Sequence, residues 1–82
     1  MEYDQDKVDD LTLALLFLMA SGYQEGQGAR AWKGSNLEIL NRLHAKGWIS
    51  DPKTRELSLN LTEEGYLRSK ELFQKYFGGE EI

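Results

Sequence analysis

Few side chains in this sequence have the types and spacing that bond-making chemistry requires. There is one histidine, His44, and no cysteine. Thiol catalysis, disulfides and thiolate metal sites are therefore excluded, and a catalytic triad or a two-histidine metal site lacks its second member. Glycines at 22, 26, 28 and 34 come with neither a G-x-G-x-x-G pattern nor a lysine–serine pair, so no phosphate-cradling loop is written here. A chain of 82 residues also leaves little room for a concave pocket of about 300 Å³ once its core is filled. No catalytic residue, metal or cofactor is expected.

What remains is charge. Residues 26–55 hold six cations and two anions, residues 1–25 one and six, and residues 56–82 three and six. The net charge of −4 is thus divided as −5, +4 and −3 along the chain. In the positive block, Asn41 and Arg42 are types that bond base edges bidentately, and Arg30, Lys33, Lys46, Lys53 and Arg55 are types that meet phosphates. The bland reading of the same cations is a solvated face.

The elements that must position these groups read as follows. At 40% hydrophobic and 29% charged, the chain is an ordinary globular one of a single domain, 1–82. Val8, Leu11, Leu15, Leu18 and Met19 recur at helical spacing, predicting a helix over 6–21 with Asp6 as its cap and Gly22 as its stop. Leu13, Phe17 and Ala20 lie on the opposite face of its C-terminal half, so this helix is apolar nearly all round where it ends and is either central or shared with a second subunit. Gly22–Gly34 reads as a loop, or a short helix around Ala29 to Lys33. Ser35-Asn36-Leu37-Glu38 is a capping box for a second helix that buries Leu37, Ile39, Leu40 and Leu43, with His44 at the flank, and ends at Gly47.

Trp48-Ile49-Ser50 and Leu57–Leu61 read as a hairpin with Lys53 and Arg55 at its tip around Pro52. Thr62 caps a third helix, Leu61 and Tyr66 form its hydrophobic staple, and Gly65 and Ser69 invite close approach on the face of Tyr66, Leu72, Phe73, Tyr76 and Phe77. Gly78-Gly79 ends it and residues 78–82 form a frayed tail. The longest apolar run, Leu13 to Ala20, is eight residues against the roughly 20 of a membrane helix, and acids precede it where a secretory signal wants bases. The expected setting is cytoplasmic, with no membrane partner.

Leu40-Asn41-Arg42-Leu43-His44-Ala45-Lys46-Gly47-Trp48-Ile49 and Leu61-Thr62-Glu63-Glu64-Gly65 resemble the recognition-helix and wing block of PadR-like and MarR-like winged helix-turn-helix regulators, over residues 35–70. The whole chain, including Arg30-Ala31-Trp32-Lys33-Gly34, resembles a family of small bacterial proteins of unknown function. The first resemblance implies an α+β, winged-helix-like fold of three helices and a small antiparallel hairpin, the wing. It also implies double-stranded DNA as partner, with Asn41, Arg42 and Lys46 in the major groove and Lys53 and Arg55 on phosphates, Arg30 and Lys33 nearby. It departs in the glycine-rich interval before the recognition helix, where those families place a complete helix. About four phosphate contacts give a salt slope of only about −3.6, so useful affinity calls for a dimer. Leu13, Phe17, Phe73, Tyr76 and Phe77 are the expected dimer or partner surface. The alternative on the same scaffold is a protein-interaction or assembly module that binds no nucleic acid.

Overall fold

A computed structural model describes residues 1–34 and 36–78. Helix α1 runs Gln5–Met19, strands β1 and β2 are Ser21–Gln24 and Gly28–Trp32, α2 is Leu37–Ala45, β3 is Ser58–Leu61 and α3 is Glu63–Phe77. The architecture is α+β: three helices and one antiparallel sheet ordered β1-β2-β3. The expected tail over Gly79–Ile82 lies outside the described residues, as does Ser35 of the expected capping box.

Each helix starts at a side chain that satisfies its first free N–H groups. Asp4, two residues ahead of the expected Asp6, caps α1 by accepting from the Lys7 N–H at 3.0 Å. The Asn36 carboxamide caps α2, accepting from the N–H groups of Glu38 and Ile39. Gly47 ends α2 at φ +81°, a conformation only glycine adopts cheaply, with Gly47 N–H bonded to His44 O and Trp48 N–H to Leu43 O.

Thr62 caps α3 by accepting from Gly65 N–H at 2.9 Å while its own hydroxyl donates to Gly47 O at 2.8 Å, so one side chain joins the end of α2 to the start of α3. Gly65 lies against the Trp48 carbonyl, which a Cβ would strike. The expected close approach at Gly65 is present, and the buried Ser69 hydroxyl donates to Tyr66 O.

The Gly22–Gly34 interval is neither loop nor helix but the hairpin β1–β2. Its strands lack the apolar alternation that announces a hairpin, because the buried positions of β2 are the small Gly28, Ala29 and Ala31. They are held by long-range pairing, Ala29 opposite Leu61 and Ala31 opposite Leu59. The expected wing is correspondingly reduced. Ile49 makes an isolated bridge to Leu61, Ser50 N–H bonds Asn60 O, and Leu57 falls outside β3.

The core lies between the sheet's inner face and the helices: Leu13, Leu16, Leu40, Leu43, Ile49, Leu59, Leu61 and Leu72. Two expected core assignments fail. Leu37 is exposed, and α1 is turned the other way about: Leu13, Ala14 and Leu16 face inward, whereas Leu15, Leu18 and Met19 are exposed and Val8 and Leu11 half-buried. A helix apolar on all sides gives periodicity nothing to choose a face by. Among the described residues no helix is long and apolar enough to cross a membrane.

Candidate functional site

The six cations of the middle third do not form one ridge. Arg42 on α2 and Lys46, its C-cap, reach to α1, where Asp9 is fully buried. The Arg42 Nε donates to both Asp9 oxygens at 2.9 Å, and Nη2 sits 2.8 Å from Oδ1 without the alignment of a hydrogen bond. The Lys46 Nζ lies 3.1 Å from Asp9 Oδ2 and 3.4 Å from Asp6, and Arg42 also reaches Glu38.

Burial pushes the Asp9 carboxyl up, but the hydrogen bonds from Arg42 and Lys46, with their charges, outweigh it and hold the group below its ordinary range. The Asp9 hydrogen bond raises Arg42 in turn. Burial opposes the charge on Lys46, yet Asp9 and Asp6 raise it on balance. The two cations assigned to a DNA groove are therefore committed to an intramolecular cluster, and Asn41 beside them is half-buried. Asp9 itself is not among the residues that type and spacing single out. Nothing in its local sequence marks it as buried.

The other four cations make none of these contacts with Asp9. Across β2 and β3 the inner face carries Ala29, Ala31, Leu59 and Leu61, and the outer face Arg30, Trp32, Ser58 and Asn60. Lys33, at the end of β2, donates from Nζ to Thr54 O at 2.6 Å, which holds the 51–56 segment beside the strand. That segment brings the exposed Lys53 and Arg55 to the same end. His44 has Nδ1 2.9 Å from Ile49 O. A carbonyl only accepts, so Nδ1 carries the proton.

The expected partner surface is rearranged as well. Leu13 is buried in the core and cannot serve. Phe17 and Phe73 are half-buried in an aromatic cluster, with Phe17 5.6 Å from Tyr66 and 5.4 Å from Phe73 between ring centroids. Only Tyr76 and Phe77 of the set are exposed.

A larger apolar surface is found on the outer face of α1 instead. Leu15 and Leu18 are 46% and 63% exposed, and Met19 continues them to a shallow groove of about 290 Å³ against Arg30, Ala31 and Trp32. Trp32, 56% exposed, in turn borders Leu57, 70% exposed, across a second recess with Lys33 and Glu56. Leu15, Leu18, Met19, Trp32 and Leu57 thus form an apolar band with Arg30 and Lys33 along its edge.

Fold and surface define a small α+β protein with an apolar outer helix face beside a basic loop. The chain belongs to the family described as "Domain of unknown function (DUF6429)", which matches residues 4–79. It is similar to "Uncharacterized protein y4hR" of Sinorhizobium fredii, 46% identical over 77 residues that cover 94% of this chain and 97% of that protein. No solved structure matches the chain. Both matches are to proteins of unknown function.

Proposed function

We propose that the chain is a non-catalytic binding module to which another protein docks along the outer face of α1, continued by Trp32 and Leu57. The observation that carries this reading is the outward turn of α1. A helix that is apolar all round spends one side on its own core and presents the other, and a connected exposed apolar band of that kind marks an interaction surface. The cations of Arg42 and Lys46 contribute to internal packing in this reading.

A second reading, duplex binding, is favoured by the Lys33–Thr54 bond, which sets Lys33 beside the segment that carries Lys53 and Arg55, with Arg30 exposed on β2. The two separate in a titration of the protein into labelled genomic duplex fragments at two salt concentrations. The docking reading expects no saturable binding at either. Saturable binding that falls with a log–log salt slope of about −3.6, and that disappears in Arg30→Ala/Lys53→Ala/Arg55→Ala, overturns it in favour of the duplex.

A further inference from the structure

We infer that the partner on this face is a second copy of the chain, its α1 antiparallel to the first; the inference deepens the docking reading and rests on it. Val8, Leu11, Leu15 and Leu18 follow steps of three, four and three residues, the spacing by which two helices interlock along a seam. Elsewhere in the molecule such a stripe would be the core face. Here the fold turns its second half outward, with Leu15 and Leu18 exposed and Val8 and Leu11 half-buried. What fits a seam of this kind is a helix with a matching one, and the chain carries it. Set antiparallel about the midpoint between Leu11 and Leu15, Val8 meets the partner's Leu18 and Leu11 meets the partner's Leu15. Every contact then occurs twice, as a twofold axis demands.

Charge selects the direction. The first third of the chain carries −5, with Glu2, Asp4 and Asp6 at the start of α1. Parallel pairing would bring two such ends together. Antiparallel pairing brings each to the far end of the other α1, where Ser21 pairs with Arg30 across the strands. Area is sufficient too. Leu15, Leu18, Met19, Trp32 and Leu57 expose together about 600 Å², a tenth of the 5786 Å² surface, and a stable interface takes about 800 Å² from each partner. Val8, Leu11 and the polar rim supply the difference.

The test is sedimentation of the full chain over a few-hundredfold range of concentration, with thiol cross-linking to read direction. The expected mass rises from one chain toward two and is little changed by salt. Leu18→Glu, at a position 63% exposed and so not needed for folding, stays monomeric with an unchanged circular dichroism spectrum.

Because the protein has no cysteine, Val8→Cys and Leu18→Cys each carry one thiol. Mixed and treated with oxidised glutathione they should cross-link to each other. Neither should cross-link alone, since like positions lie about 15 Å apart at 1.5 Å per residue, beyond disulfide reach. Self-cross-linking of Val8→Cys alone overturns the antiparallel arrangement. A wild-type chain that stays monomeric throughout overturns the self-pairing. If that monomer also ignores duplex, docking of a different protein still stands; if it binds duplex, both readings fall.

Discussion

Replacing Asp9 by Asn probes the interaction that most changes how the cations are understood. The substitution keeps shape and creates no cavity, but removes the one anion that Arg42 and Lys46 share. The Asp9 side chain is 1% exposed and receives two short Arg42 contacts through Nε and one Lys46 contact at 3.1 Å. Breaking a buried pair costs about 3–5 kcal/mol when the surviving charge is trapped. Here the survivors are cations 21% and 31% exposed, which turn to water and recover part of that. We expect a loss of about 2 kcal/mol, which in a domain of this size lowers Tm by about 10 °C or more.

Calorimetry and urea unfolding measure the loss, and pH identifies its source. Because Asp9 titrates in the folded state below its ordinary 3.8, its contribution is present above that value and is lost as pH falls through the lower folded value. The wild type should show this acid limb and Asp9→Asn should lack it. Arg42→Ala should also cost less in the Asp9→Asn background than in the wild type. A loss under about 0.5 kcal/mol, the scale of an exposed pair, with additive effects of Arg42→Ala, would refute the reasoning and return both cations to the solvated surface. The result bears on binding assays directly, since an Arg42 variant that fails to bind anything is then reporting on its fold.

Two further outcomes are expected. Tyr23, whose hydroxyl donates to Glu63 at 2.7 Å, is pushed up to about 12, first by that bond to a carboxylate. Its stabilisation holds below 10.0 and is lost as pH rises through about 12, so Tyr23→Phe should remove an alkaline limb from a pH series of thermal melts while leaving neutral-pH spectra unchanged. Gly65→Ala drives a methyl into the Trp48 carbonyl at the α2–α3 junction and should cost about 3 kcal/mol in urea unfolding, although alanine is the better helix former; a stabilised Gly65→Ala would show the junction to be loose.

What could be read from the chain was what neighbouring residues determine. Thr62, Gly47 and Gly78 mark helix ends because caps act within one turn, and Gly65 and Ser69 announce a close approach because smallness at a packed position needs no knowledge of the neighbour. The three helices followed from periodicity for the same reason. The β1–β2 hairpin did not, since glycines and alanines make no alternating signal and its inner strand, β2, is held by β3, some thirty residues away.

The functional surface was hidden more deeply. The spacing of Val8, Leu11, Leu15, Leu18 and Met19 was legible, but whether that stripe faces core or solvent was not, because the opposite side of α1 is equally apolar. Nor does composition say that Asp9 would be buried between Arg42 and Lys46, or that Lys33 would bond Thr54, between Lys53 and Arg55. Sequence set the three helices, their ends and the supply of charge through interactions spanning one helical turn. Tertiary structure decided which face of α1 and which four cations were left over, because burial and ion pairing are shared among segments that meet only once the chain has closed on itself.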